Sequence, residues 1–361
     1  MSGGDYCFPL MRRAWCFQER LLATRVLHYT KSEIVFECKS AAHCECSEIN
    51  RVTSRDGKSK LGRLRMGMPL GEETPSSANS LEHTMANMSL SSCLAPWLDQ
   101  KRANSDKNDS KASVWNSIVG DYAKRALTYS RDTLPALSGV ALKMQTCGMG
   151  KYLAGLWEQD LANGLMWSSF RGWDCERHST YIAPTFSWAL RVSPVTPAPT
   201  REAMGNQCVE ILDCNCTIKG ANPFGEVSSG YVKLRGKIIE AKFELDRWPN
   251  RQPPYLLNSV VKPVSSSEIW MGGWQSQFEI DTKEDLASTQ GGTVYCLLMF
   301  SQELTSPISG VELYEKALML KSTETPGVFQ RCGTCRFRVN RRRSKRSSWF
   351  EGAEEAEISI I

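Results

Sequence analysis

The chain has 361 residues, 41% hydrophobic and 23% charged, an ordinary globular balance with room for two or three domains. No stretch approaches the roughly 20 consecutive apolar residues of a membrane span, and no basic leader followed by an apolar core opens the chain. The net charge of +5 owes much to one tract, Arg336 to Arg346, with seven basic residues and no acid, so a basic footprint spread over the whole surface is excluded.

From Phe8 to Leu22 the apolar positions Leu10, Ala14, Phe17 and Leu21 recur at helical spacing, with Pro9 suited to the first turn. Val26 to Tyr29 and Ile34 to Cys38 are rich in strand formers and are separated by polar residues, which predicts a hairpin. Residues 53–113 are dominated by Ser, Asn, Lys, Gly and Asp, with Trp97 the one aromatic, and are expected to be a disordered linker or insertion. Leu94-Ala95-Pro96-Trp97-Leu98 is a candidate docking point within it.

Three helices are expected next. The first follows Ser113 as a cap and carries Trp115, Ile118, Val119, Tyr122 and Ala126 on one face. The second starts near Asp132 or Thr133, with Pro135 in its first turn and Leu134, Leu137, Ala141 and Met144 on one face. The third runs from Lys151 to Leu161 and stops at Asn163-Gly164. Beyond Trp188 the pattern turns to strands, at Glu210 to Lys219, Tyr231 to Arg235, Val294 to Phe300, Glu315 to Lys321 and Val328 to Val339.

Several phrases are lettered more specifically than these elements require. Arg13-Ala14-Trp15-Cys16-Phe17-Gln18-Glu19-Arg20-Leu21-Leu22, followed by Arg25-Val26-Leu27, resembles the third sequence block of the fungal heterokaryon-incompatibility (HET) domain, R-G/A-W-C/T-x-Q-E-R-x-L-S-x-R-V-L. The family-motif positions are Arg13, Trp15, Gln18, Glu19, Arg20, Leu22, Arg25, Val26 and Leu27. Three later phrases resemble its usual companions: Leu127 to Gly139, Tyr152 to Trp157, and Ala183 to Ala189. The close around Trp349-Phe350-Glu351-Gly352 resembles the usual end of such proteins, which implies a complete C-terminus. Two blocks that normally come earlier, A-L-S-Y-x-W-G and D-x-x-C-I-x-Q, do not occur before Arg13, so the expectation is the C-terminal remnant of a HET domain and a fragment without killing activity of its own. The resemblance implies a part in non-self recognition and programmed cell death through protein partners.

The expected architecture is α+β: a remnant α/β piece of a HET domain at 1–52, a disordered insertion at 53–113, a helical segment at 114–190 and a β-rich C-terminal domain at 191–361. Fourteen cysteines without a leader read as free thiols in a reducing compartment, so the expected location is cytoplasmic and the sequons at Asn87, Asn108 and Asn215 carry no glycan.

Four chemistries compete with plainer readings of the same residues. His43, Cys44 and Cys46, with Cys38 nearby, and the pair Cys332 and Cys335 are soft-ligand types. Positions three apart on a regular strand face opposite ways, so Cys332 and Cys335 are not expected to share an ion, and same-face pairs such as Cys214 and Cys216 read as small core residues. No metal or cofactor is expected. A nucleophile elbow, a phosphate loop and a dinucleotide fingerprint are all missing from the sequence. His28, in a predicted strand, reads as a packed or surface imidazole rather than a base. HET domains have been likened to TIR domains, a fold that includes NAD-cleaving enzymes using a glutamate. On that likeness Glu19 is the catalytic candidate, but Trp15, Gln18 and Glu19 read more simply as an anchoring indole with a solvated polar pair. An NAD-cleaving reading also needs the blocks that do not precede Arg13. The basic run Arg341, Arg342, Arg343, Lys345 and Arg346 suits nuclear import or phosphate contact, yet Glu351, Glu354, Glu355 and Glu357 offset it, and nucleic acid is not the expected partner. The tryptophans at Trp157, Trp167, Trp173 and Trp188 read as core anchors rather than a ligand cage. A β-domain interaction module is the remaining alternative.

Overall fold

The computed structural model describes residues 9–31, 33–38, 42–47, 107–169, 174–191, 194–246, 258–263, 276–306, 310–340 and 347–361. The docking segment around Trp97, Trp173 and the basic run Arg341 to Arg346 lie outside the described residues. The chain divides into two compact units, Met1–Gly150 and Lys151–Ile361, so the boundary falls inside the segment read as helical.

In the first unit a 3-10 turn at Pro9–Arg12 leads into α1 (Ala14–Leu22). An antiparallel meander follows, of β1 (Arg25–Tyr29), β2 (Ile34–Cys38) and β3 (Ala42–Cys44), with β2 in the middle. Its register sets Leu27 opposite Phe36 and Val35 opposite Cys44. Helix α2 spans Lys107–Tyr122. It begins ahead of Ser113, so residues 107–113 belong to a helix and not to the expected linker. Its buried residues Trp115, Ile118, Val119 and Tyr122 fall at intervals of three and four, which puts them on one face. The predicted second helix opens instead as 3-10 turns at Ser130–Asp132 and Pro135–Leu137, and only then becomes α3 (Ser138–Thr146). Proline at the first turn position removes a donor that has no partner there, so the tight start costs little. Leu134, Leu137, Ala141 and Met144 are buried, as their spacing predicts.

The second unit opens with a strand pair rather than a helix. Where a third helix was expected, β4 (Tyr152–Leu153) and β5 (Leu156–Trp157) form an antiparallel hairpin. The joining residues Ala154 and Gly155 have φ of 48° and 100°. Two successive positive φ angles make a primed hairpin turn and are incompatible with a right-handed helix. The apolar spacing that imitates a helix arises because Leu153, Leu156 and Trp157 are all buried, on both faces of the hairpin. Short helices α4 (Leu161–Gly164) and α5 (Arg201–Met204) follow.

The rest is β-rich, as expected: β6 (Asn206–Gln207), β7 (Glu210–Ile218), β8 (Val227–Asp246), β9 (Asn258–Pro263), β10 (Ser276–Ile280), the helix α6 (Lys283–Thr289), β11 (Thr293–Ser306), β12 (Gly310–Ser322), β13 (Val328–Asn340) and β14 (Glu355–Ile360). The strands pair in the order β6-β11-β12-β13-β14-β8-β7, and a further β11–β8 pairing closes five of them into a ring. The ring gives each of those five strands a neighbour on both sides, with the seam between β13 and β14 paired only at Val328–Ser359 and Phe329–Ile360. Phe243, Val294, Cys296, Met319, Phe337 and Phe350 pack into one apolar cluster there, and each fully buried side chain of this size contributes about 1.5–3 kcal/mol.

Cys332 and Cys335 belong to that same cluster, both buried. The expectation of opposite faces fails because the β12–β13 register shifts between Met319 and Leu320, leaving Cys332 as the extra residue. One bulged residue restores the face parity of positions three apart. Cys335 meets Cys296, Sγ to Sγ at 3.7 Å. With the helices of both units the chain is α+β, and among the described residues no helix is long and apolar enough to cross a membrane.

Candidate functional site

The motif residues of α1 meet the Leu127 to Gly139 phrase. Ala14 N donates to Ala126 O at 3.1 Å, and Ala126 N donates to Arg12 O at 2.6 Å. This parallel bridge seats the start of α1 against the loop after α2 and satisfies one of the amides that a helix N-terminus leaves open. At the next residue, Trp15 Nε1 donates to Asp132 Oδ2 at 3.0 Å. One turn on, Gln18 Oε1 accepts from Gly139 N at 2.6 Å, so Gln18 is a docking residue and not part of a solvated pair. A Cβ on Gly139 would lie 2.9 Å from Leu22 Cδ1, which explains glycine there by close approach. Glu19, next to Gln18 on α1, is exposed and is not among the residues that line the cleft between the two phrases.

Arg20 points to the meander instead. Its Nε and Nη2 donate to Glu37 Oε2 and Oε1, each at 2.8 Å, while His28 Nε2 lies 2.9 Å from Glu37 Oε2. Burial alone would push the Glu37 pKa up, but the hydrogen bonds from His28 and Arg20, with the Arg20 charge, outweigh it and hold the carboxyl at about 2. A carboxylate only accepts, so the facing His28 nitrogen carries a proton. The group is a structural clasp between α1, β1 and β2, consistent with the packed reading of His28. Arg13, Arg25 and Leu27 are exposed and Val26 is half-buried, so these motif positions bring no side chain to the clasp.

Between the two phrases lies a cleft lined by Arg13, Trp15, Ala126, Thr128, Tyr129 and Asp132, with a volume of about 140 Å³. Pockets that enclose organic cofactors run to about 300–1,000 Å³, so this one takes a side chain or a few waters. Trp15 and Tyr129 at its rim are 39% and 58% exposed.

In the second unit the other two phrases meet in the same manner. Trp188 Nε1 donates to Gly155 O at 3.0 Å, and Ser187 Oγ donates to Ala154 O at 2.5 Å. Trp157, Trp167 and Trp188 are buried, which is the core-anchor reading.

Sequence reasoning missed a buried ionic group beside them. Arg331 is fully buried, with its guanidinium 3.5 Å from the Trp167 ring centroid and its Nη2 donating to Trp167 O at 2.5 Å. Asp281 Oδ1 lies 3.3 Å from Arg331 Nη2, without the alignment of a hydrogen bond. Arg191 Nη2 donates to Ser169 Oγ at 2.5 Å and to Cys175 Sγ at 2.9 Å, and Arg177 pairs with Asp285. Burial pushes the Asp281 carboxyl up to about 7 against the pull of Arg331. The local lettering gives no signal for this group, because its members come from four separated segments.

Among the described residues, one group of three unites metal-ligand atom types: Glu33, Cys44 and Cys46. His43 is not in it, since its ring stacks on Phe36 with centroids 6.4 Å apart. No family model, no curated protein and no solved structure matches this chain.

Proposed function

We propose that the chain works in non-self recognition and incompatibility cell death, as the HET-type lettering implies, as a cytoplasmic protein that acts through protein contacts rather than by turning over a small molecule. The observation that carries this reading is the pairing of the phrases. The first touches the second through Trp15–Asp132 and Gln18–Gly139, and the third touches the fourth through Gly155–Trp188. Letters that recur together are expected to be letters that touch, and here the family-like positions are each other's partners. The exposed aromatics Trp15 and Tyr129 around a cleft too small for a cofactor favour a protein partner over a metabolite. Exposed Glu19, outside the cleft lining, supports the non-catalytic reading over a TIR-like NAD-cleaving one.

The test is induced expression in a fungal host with viability counts, comparing the natural chain with Tyr129→Ala, Glu19→Gln and a deletion of residues 1–113. The chain is proposed not to kill on its own, so the expected result is that the natural chain alters the death set off by an incompatible pairing in that host, an effect kept in Glu19→Gln and lost in Tyr129→Ala. No effect on that death with abundant folded protein overturns the cell-death reading. Loss on Glu19→Gln alone selects the enzyme, and activity surviving the deletion selects the β-domain interaction module.

A further inference from the structure

Two turns of the meander converge at one end of β2. Thr30 Oγ1 donates to Glu33 O at 2.7 Å and accepts from Glu33 N at 3.0 Å, which fixes the backbone at Glu33 just ahead of β2. On the neighbouring strand, Ser47 N donates to Cys44 O at 3.0 Å, closing a turn after β3. Within that turn Cys44 Sγ and Cys46 Sγ lie 3.1 Å apart. The two turns are tied by Cys46 N, which donates to Glu33 Oε2 at 3.1 Å, and by Ile34 N, which donates to Glu45 Oε2 at 2.8 Å. One oxygen of Glu33 and the two sulfurs all lie within 4.8 Å of one another.

The ligand set has a definite preference. Two thiolates with a carboxylate suit a borderline-soft divalent ion of tetrahedral habit, whereas calcium and magnesium want oxygen throughout. Zinc holds sulfur at about 2.3 Å and carboxylate oxygen at about 2.0–2.2 Å, which separates ligand atoms by roughly 3.5–3.8 Å in a tetrahedron. The two sulfurs, 3.1 Å apart, must open by about 0.6 Å, and the carboxylate oxygen must close in from at most 4.8 Å, to reach that spacing. The environment is graded as well, with Cys44 buried, Glu33 half-buried and Cys46 exposed.

We propose that Glu33, Cys44 and Cys46 bind one Zn²⁺ ion, with the fourth position open to solvent. Binding replaces the two thiol protons with the metal: two neutral thiols and one carboxylate become two thiolates and one carboxylate on Zn²⁺, releasing two protons. Without the ion the same contact is a thiol–carboxylate hydrogen-bond cluster. With it, the turn before β2 is fastened to the turn after β3, a staple for three short strands that have little core of their own.

The experiment uses the full-length chain, reduced, loaded with zinc and dialysed against a weak chelator, with metal content read by mass spectrometry. Co²⁺ is then substituted and its thiolate charge-transfer band recorded. Expected are about one zinc per chain and a cobalt–thiolate band, both lost in Cys44→Ser/Cys46→Ser and kept in Cys147→Ser. Affinity in Glu33→Gln should fall at least about tenfold, because even outer-shell partners cost that much. Should the double variant fail to fold, alkylation mapping of the natural chain decides: zinc should shield Cys44 and Cys46 from iodoacetamide and leave Cys147 reactive. Absence of bound zinc, undiminished zinc in the folded double variant, or equal alkylation of all three thiols with and without zinc overturns the site.

Discussion

Gln18 and Gly139 stand 121 residues apart in sequence, yet the Gln18 side-chain oxygen accepts the Gly139 amide at 2.6 Å, while Leu22 closes over the same glycine. The contact needs an acceptor of glutamine length and a residue without a Cβ. In Gly139→Ala the new carbon would stand 2.9 Å from Leu22 Cδ1 and 3.1 Å from Gln18 Oε1. Overpacking of this kind costs about 1–3 kcal/mol. Gln18→Ala instead leaves the half-buried Gly139 amide without its acceptor, at about 1–2 kcal/mol. Urea titration of both single variants and the double should return a cost for the pair smaller than the sum of the singles, since each removes the same contact. Additive costs would show that the two residues do not depend on each other.

Glu37 gives the first unit an acid limit. Its folded pKa of about 2 lies below the ordinary 4.5, so its contribution is complete above that ordinary value. The contribution is lost as pH falls from about 4.5 towards 2, where the folded carboxyl finally protonates and releases Arg20 and His28. Glu37→Gln should cost about 3 kcal/mol at neutral pH, because it leaves Arg20 without its counter-charge in a half-buried place. The variant should also lose the steep acid branch of the stability curve. Amide hydrogen exchange of β1 and β2 between pH 5 and 2.5 reads this directly, and an unchanged acid branch would remove Glu37 as its cause.

Gly155→Ala tests the second unit. The site has φ of 100°, and an added Cβ would come within 2.6 Å of Trp188 Nε1. Left-handed strain and the collision with a buried indole together cost about 3 kcal/mol or more. The Trp188 environment, followed by near-ultraviolet circular dichroism, should change along with the loss of stability. Natural stability in the variant would mean that the turn relaxes elsewhere.

Periodicity made α2 legible, because Trp115, Ile118, Val119 and Tyr122 serve one buried face and nothing else competes for them. The same rule misled at Leu153, Leu156 and Trp157, where a hairpin buried on both faces imitates helical spacing. Only half of the deciding information is local, since Gly155 suits a positive φ whereas nothing in the lettering announces φ of 48° at Ala154. Cys332 and Cys335 were misplaced for a different reason: their faces depend on a bulge set by the partner strand β12, which no window of β13 contains. Trp15 is exposed rather than a buried anchor and holds Asp132 only through its indole nitrogen, while the acceptor role of Gln18 depends on a glycine beyond the reach of any local pattern. The Arg331–Asp281 pair was illegible altogether, as an arginine in a strand ordinarily reads as facing solvent.

That pair sets the opposite pH response in the second unit. Asp281 is fully buried and neither of its oxygens accepts a hydrogen bond, so desolvation raises its pKa from 3.8 to about 7 although Arg331, Arg191 and Arg177 all pull it down and Asp285 pushes it up. A raised folded pKa means that the folded chain holds a proton the unfolded chain has given up. Its stabilising effect is complete below about 3.8 and is lost as pH rises through about 7. Asp281→Asn imitates the protonated carboxyl. The variant should therefore match the natural chain at pH 5 and exceed it at pH 8.5, measured as urea midpoints followed by the fluorescence of buried tryptophan. If Asp281→Asn is instead weaker at pH 8.5, the ionised carboxyl is required as the counter-charge for the buried guanidinium of Arg331, and pair attraction outweighs desolvation at this place in the fold.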